Sequence, residues 1–176
     1  MSPRHVVLVG LMGSGKSSVG RHLAEAIGRP LVDTDLEIER QAGRSIAEVF
    51  RTSGEESFRS LEEDVLEQVL ASHSESVVAT GGGSVLRSTN RQRLTDHVVV
   101  WLRADVDTLV DRVERGRHER PLLGDDPRGR LEDLDRQRAP LYEEVANIVV
   151  DVDHRPISAV VDSIVDAIHA MTRNRP

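Results

Sequence analysis

Eight residues, Gly10-Leu11-Met12-Gly13-Ser14-Gly15-Lys16-Ser17, constrain the fold of this chain more than any other segment. They follow a β-branched run at residues 6–9 and precede residues 18–27, which carry Val19, Leu23 and Ile27 on one helical stripe. A glycine-rich turn that leaves a strand and opens a helix is the context that G-x-x-x-x-G-K-[ST] requires, and every position of the pattern is matched. Gly13 and Gly15 allow the backbone to curl so that its amides point inward at phosphate oxygens, and the helix N-terminus adds partial positive charge. Lys16 is placed to bridge the outer phosphates of a nucleoside triphosphate, and the Ser17 hydroxyl to ligate Mg²⁺.

The rest of the chain alternates short apolar runs with longer helical patterns. Strands are expected at residues 6–9, 31–33, 77–79, 98–102 and 148–152, and helices at 18–27, 106–113, 130–145 and 158–171. Residues 36–70 also read as helical, with breaks near Gly43 and Gly54, and Ser53 followed by Glu56 fits a capping box opening the longer helix. Residues 116–129 hold most of the mid-chain glycine, proline and charge, so a mobile lid is expected around residues 114–126, and residues 172–176 read as a frayed tail. Apolar strands separated by helices imply a parallel sheet covered on both faces. The expected architecture is one α/β domain over residues 1–176. It has three layers around a doubly wound, five-stranded parallel sheet of the P-loop NTPase, nucleoside monophosphate kinase-like type.

Composition removes several functions. Cysteine is absent, and with it disulfides, thiolate zinc sites and thiol nucleophiles. A net charge of −7 with one Trp, one Tyr and two Phe argues against a nucleic-acid partner, which would want a basic face and stacking platforms. Nothing at the start resembles a signal peptide, and no run approaches the roughly 20 apolar residues of a membrane span, so a soluble cytoplasmic protein with no membrane partner is expected. No long apolar surface stripe is evident, which favours a monomer. Of 23 basic residues only Lys16 is lysine, kept where a compact ammonium must reach between phosphates. A second lysine would be needed for the Asn-Lys-x-Asp segment of the usual GTPases. The Leu-Ser-Gly-Gly-Gln of transporter ATPases is also missing, and a small-molecule kinase is favoured.

Candidate acceptor-site residues follow the strands. Asp33-Thr34-Asp35 ends the second strand, at the carboxyl edge where open parallel sheets bind ligands. Two carboxylates one residue apart on a strand project to the same side, so one can serve the Mg²⁺ shell and the other a substrate hydroxyl. Alone the trio would equally fit a turn or a helix cap ahead of Leu36; beside a full phosphate loop the chemical role is favoured. Gly81-Gly82-Gly83 follows the third strand at the same edge, where glycine lets the backbone approach a ligand. In residues 130–145, Leu131, Leu134, Leu141 and Val145 mark a buried stripe, and Arg138 lies on it. A buried guanidinium needs an anion, either an acidic side chain or a substrate carboxylate bound in a bidentate fork, and the second is preferred. Arg59 has Glu62 and Glu63 at i+3 and i+4, which could pair with it. Arg120, beside Pro121 in the lid, is placed to close over the γ-phosphate and exclude water. The seven histidines show no metal spacing and are expected at the surface, His73, His97 and His118 included.

Taken together these motifs resemble those of the shikimate kinases. The marks are the phosphate loop, Asp33-Thr34-Asp35, Phe58-Arg59, Gly81-Gly82-Gly83, Arg120-Pro121-Leu122-Leu123 and Arg138-Ala139-Pro140-Leu141-Tyr142, in the family's order and spacing over residues 6–168. The resemblance implies transfer of the ATP γ-phosphoryl group to the 3-hydroxyl of shikimate, with Mg²⁺ as cofactor, on the way to chorismate and the aromatic amino acids. It implies that Gly13, Ser14, Gly15, Lys16, Ser17 and Ser18 hold phosphates, that Ser17 and Asp33 serve Mg²⁺ (Asp33 through water), and that Asp35 holds the reacting hydroxyl. Gly81, Gly82 and Gly83 would line the ring, Arg59 and Arg138 would grip the carboxylate, and Arg120 would come down with the lid. The family sets an arginine and a neighbouring proline against adenine. Arg155-Pro156 is the counterpart here, with the proline offset by one residue, and Arg112 contributes at the same place. The nearest alternative is gluconate kinase, which shares the loop and acid pair but is not expected to carry the Arg59, triple-glycine and Arg138 set. A nucleoside monophosphate kinase comes next, and a nucleotide-binding regulator without an acceptor is the alternative from another class.

Overall fold

The computed structural model describes residues 4–72, 74–115 and 124–173. Its strands are β1 (Val6–Val9), β2 (Leu31–Asp33), β3 (Val77–Ala79), β4 (Val98–Arg103) and β5 (Ile148–Asp151), all parallel, in the order β2-β3-β1-β4-β5. Parallel neighbours need crossovers. These are supplied by α1 (Lys16–Ile27), α2 (Thr34–Ala42), α3 (Ile46–Leu70), α4 (Ser88–Leu94), α5 (Val106–Arg115) and α6 (Pro127–Val145), with α7 (Ile157–Arg173) closing the chain. Residues alternate between faces along each strand. Val6 and Leu8 pack with Val100 and Ile148 under α1 and α7, while Val7 and Val9 pack with Val78 and Val99 under α3, α5 and α6. The three layers and the doubly wound sheet expected from the strand pattern follow from that alternation. Because β1 lies between β3 and β4, successive crossovers diverge around it and open a crevice at the carboxyl edge.

Several local features differ from the expectation. The reciprocal capping box belongs to Ser45 and Glu48, after the turn at Gly43 (φ 66°), and not to Ser53 and Glu56. Ser53 instead accepts from Arg44, and Glu56 pairs with Arg87. Gly54 (φ 79°, ψ 171°) breaks α3 without ending it, in a conformation that an L side chain rarely adopts. On α6 the buried stripe is Leu131, Leu134, Arg138, Tyr142 and Val145, and Leu141 is only partly buried. Arg120, His118 and most of the expected lid lie outside the described residues, as does His73. Among the described residues no helix is long and apolar enough to cross a membrane.

Two histidines contradict the surface assignment. His5 is fully buried and His97 nearly so, their ring centroids 5.0 Å apart at the amino edge of the sheet. The reason is backbone satisfaction: His5 Nδ1 accepts the Ser76 N–H at 3.2 Å, and His97 Nδ1 accepts the His5 N–H at 3.3 Å. Both Nδ1 atoms must therefore stay unprotonated. Burial holds each ring below the ordinary imidazole value of 6.5, with Arg29 and Arg4 acting in the same direction and Glu75 and Asp96 opposing. The unfolded chain then binds more protons as the pH drops below about 6.5, so stability is full above that value and declines beneath it. Each excluded proton contributes a slope of at most about 1.4 kcal/mol per pH unit. His97→Asn keeps an acceptor but cannot titrate, so its urea midpoint should fall less than that of the parent between about pH 7.5 and pH 5.5. Equal falls would remove His97 from the explanation.

Candidate active site

The phosphate loop is shaped by three glycines with positive φ: Gly10 (147°), Gly13 (84°) and Gly15 (96°). A Cβ on Gly10 would stand 2.7 Å from the Leu102 carbonyl oxygen, so the loop packs on the sheet too closely for any side chain there. Gly15 serves as the N-cap of α1, which leaves the first amides of that helix facing the crevice. The Lys16 ammonium donates to the carbonyls of Gly10 (2.8 Å) and Leu11 (2.9 Å). These are contacts that phosphate oxygens can replace. From behind, Arg112 donates to the Gly13 and Ser14 carbonyls at 3.2 and 3.3 Å and to the Val152 carbonyl at 3.1 Å, tying the loop to the end of β5.

Asp33 has two tasks. Its Oδ1 accepts the Asp35 and Leu36 amides and so caps α2, and its Oδ2 accepts the Ser17 hydroxyl at 2.7 Å. The turn reading of this acid is therefore observed, and its second oxygen stays turned toward the phosphate loop. A serine hydroxyl and a carboxylate in contact form a hard-oxygen pair of the kind Mg²⁺ takes when most of its shell is water and phosphate. Asp35 lies two residues on. Burial and then Asp33 push its carboxyl up from 3.8 to about 6, with Glu62 and Glu39 adding to the effect and Lys16 opposing.

The three glycines after β3 each have a different steric reason. A Cβ at Gly81 would meet both Asp35 Oδ1 and Glu62 Oε1 at 2.8 Å, and one at Gly83 would overlap the Arg59 guanidinium. At Gly82 it would stand 3.4 Å from Arg138 Nη1 and 3.4 Å from the Gly10 carbonyl oxygen. The turn is thus threaded between the acids, the arginines and the phosphate loop. The Gly81 amide is anchored on the buried Thr34 hydroxyl at 3.2 Å.

Arg59 and Arg138 are both buried, at 8% and 5% exposure. Arg59 pairs with Glu62 at 2.7 Å and with Glu55 at 3.5 Å. Glu63, the other expected partner, turns instead to Arg87, Arg93 and Thr89. Glu62 was a sequence neighbour of interest only as a partner. Its burial, which raises its pKa against the pull of Arg59 and Arg138, makes it part of the site. Among the described residues no carboxylate forms an ion pair with Arg138, which contacts the Tyr142 phenol.

A cavity of about 650 Å³ runs between the phosphate loop and the two aspartates and meets the triple-glycine turn at Gly82, while Arg59, Glu62 and Arg138 do not line it. The phosphate loop from Met12 to Ser18 forms one wall, Asp33, Asp35, Thr80 and Gly82 another, and Ile46, Ala47 and Phe50 of α3 an apolar third. That third wall gave no sequence signal beyond helical periodicity. A smaller cavity, about 240 Å³, opens between Ser14, Ser18, Arg112, Val152 and α7. Arg155 lines it but is tethered to the Asp151 and Ala159 carbonyls and the Ser163 hydroxyl, and Ile157 rather than Pro156 completes the wall.

An acid pair facing a phosphate loop across one cavity defines a P-loop kinase. The family model for shikimate kinase matches residues 12–169, and the chain belongs to that family. The shikimate kinase of Symbiobacterium thermophilum is 48% identical over 165 residues, 92% of this chain and 94% of that one. That of Mycobacterium marinum is 47% identical over 175 residues, covering 99% and 94%. The structure of shikimate kinase from Acinetobacter baumannii in complex with shikimate superimposes with a TM-score of 0.91 at 37% identity, covering 96% of this chain and 94% of that one. A gluconokinase from Sinorhizobium meliloti shares the fold at a TM-score of 0.62 and 23% identity.

Proposed function

We propose that the protein transfers the γ-phosphoryl group of ATP to the 3-hydroxyl of shikimate, giving shikimate 3-phosphate and ADP, as a cytoplasmic monomer serving aromatic amino acid biosynthesis. The observation that carries the acceptor assignment is Arg138. It is a buried guanidinium without a carboxylate partner among the described residues, beside a Gly82 that lines the same cavity as the phosphate loop. A small alcohol bearing a carboxylate supplies the missing anion.

In this reading Gly13 to Ser18 hold the phosphates, and Lys16 exchanges the Gly10 and Leu11 carbonyls for phosphate oxygens. Ser17, and Asp33 through water, would hold Mg²⁺, which would offset the charge of the phosphates. Arg59 and Arg138 grip the carboxylate, and Gly81 to Gly83 let the ring lie against the backbone. Asp35 orients the 3-hydroxyl and takes its proton as the new O–P bond forms and the bond to the ADP oxygen breaks. Arg112 steadies the loop and, with Arg155, borders the cavity left for adenine. Arg120 and a lid around residues 114–126, of which 116–123 lie outside the described residues, would close over the γ-phosphate within this single domain.

The test is ADP release with Mg²⁺ and ATP in the presence of shikimate, gluconate, CMP or no acceptor. Release should depend on shikimate, and Arg138→Ala should raise the KM for shikimate by roughly a hundredfold, as losing a buried charged contact does. Release with gluconate or CMP instead would overturn the acceptor. ATP binding without acceptor-dependent release would favour a regulator.

A further inference from the structure

We infer that Tyr142 is a positioning residue that joins Arg138 and the triple-glycine turn into one preset cradle for the acceptor's carboxylate. The inference rests on the proposed role of Arg138 and adds a residue that the motif chemistry left unassigned. Tyr142 follows Arg138 by four residues, so the two side chains lie one above the other on α6. Its ring is fully buried, and its direction is fixed by Trp101, whose ring centroid is 5.8 Å away.

The phenol oxygen faces both elements. Its O–H donates to the Gly82 carbonyl at 2.5 Å, and the Arg138 guanidinium lies beside the same turn, 3.4 Å from where a Cβ on Gly82 would stand, with the phenol favouring its charge. One oxygen atom therefore spans a helix and a turn that are 60 residues apart in sequence. Burial raises the phenol above its ordinary value, so it keeps the proton that it donates. Among the described residues Arg138 Nε is buried without a hydrogen-bond partner, and the Tyr142 phenol, one turn along α6, is placed to set the rotation of the guanidinium. Gly82 in turn wedges between Arg138 and the phosphate loop, near the Gly10 carbonyl and the Met12 amide. Through this wedge the phenol fixes how far the acceptor's acid group sits from the phosphate loop.

Tyr142→Phe keeps the ring and removes only the shared oxygen. It should raise the KM for shikimate roughly tenfold, the effect of one hydrogen bond to a charged group, and leave the KM for ATP within about twofold. In an Arg138→Ala background the same substitution should add no more than about twofold, because both changes remove the same grip. Tyr142 is the chain's one tyrosine, so 3-fluorotyrosine labels it alone without altering the fold. Its ¹⁹F resonance should move on adding shikimate and stay in place on adding ATP alone.

An unchanged KM for shikimate, with or without a drop in melting temperature, would overturn the inference and leave Tyr142 structural. So would equal effects of Tyr142→Phe in both backgrounds, or a resonance blind to shikimate. If Arg138→Ala alone left the shikimate KM unchanged, the carboxylate role of Arg138 would fall, and this inference with it.

Discussion

Replacing Asp35 by asparagine is expected to lower kcat at saturating shikimate by about 10²–10⁴, the range by which a positioned proton acceptor accelerates a reaction. Asparagine is nearly isosteric, so the loss belongs to the missing basicity and not to a gap. The surroundings that push Asp35 up to about 6 add a second, opposite expectation. Below about pH 4 the carboxyl is protonated whether the chain is folded or not, and it makes no difference to stability. Above about pH 6 the folded chain must hold a buried carboxylate beside Asp33 and Glu62, which costs about 1–3 kcal/mol. Asp35→Asn should therefore unfold at higher urea than the parent at neutral pH, with the gain shrinking as the pH falls from 6 to 4. The acid limb of kcat/KM in the parent should lie near pH 6. Turnover of the variant within tenfold of the parent would end the role of Asp35 as proton acceptor. A variant less stable than the parent at neutral pH would show that the carboxylate is not under strain.

The second large effect is expected at Gly83. Its backbone is not in the left-handed region, so alanine there meets no conformational penalty, and the whole effect is steric. The added methyl would overlap Arg59 Nη1 and stand 2.6 Å from Cζ. Arg59 can yield only by leaving Glu62, a carboxylate just 3% exposed. Separating a buried pair of this kind costs about 3–5 kcal/mol. Gly83→Ala should lose that much stability and nearly all shikimate binding at accessible concentrations, while ATP binding to the intact fraction persists. Gly81→Ala, which presses on Asp35 and Glu62 at 2.8 Å, should come next, and Gly82→Ala, with contacts near 3.4 Å, should be mildest. Urea denaturation and shikimate titration of the three variants would check this order. If Gly82→Ala proved the worst of the three, the close approach to Arg59 would not be what limits position 83.

The strands were legible because a parallel sheet buried on both faces demands uninterrupted β-branched runs, such as the one at Val98, Val99 and Val100. The phosphate loop was legible because its chemistry fixes residue types at fixed spacing. The short α4 was not, since only Asn90 and Leu94 of its seven residues are buried, too few to mark a stripe. His5 and His97 hid for another reason. Each is a single polar residue at a strand end, and what buries them is a backbone amide supplied from elsewhere in the chain. Within the site, local spacing offered Arg59 two glutamates. The choice of Glu62 over Glu63 was made by Arg87, Arg93 and Thr89, which reach Glu63 from across the α3–α4 packing. Periodicity placed Arg138 indoors but could not say that a tyrosine, and no acid among the described residues, would meet it.

The break at Gly54 has a bearing on how acceptor preference can diverge within this fold. Along an uninterrupted helix, inserting or deleting one residue turns everything beyond it by about 100°. Phe50 and Ile46, on the wall of the cavity, share α3 with Arg59 and Glu62, so an unbroken helix would bind the two sets to a single rotational register. At Gly54 that register is reset. If the proposed roles hold, the wall that meets the shape of an acceptor can gain, lose or exchange residues over generations while the arginine that meets its charge stays where it is. One glycine thus makes shape and charge separately heritable on the same helix.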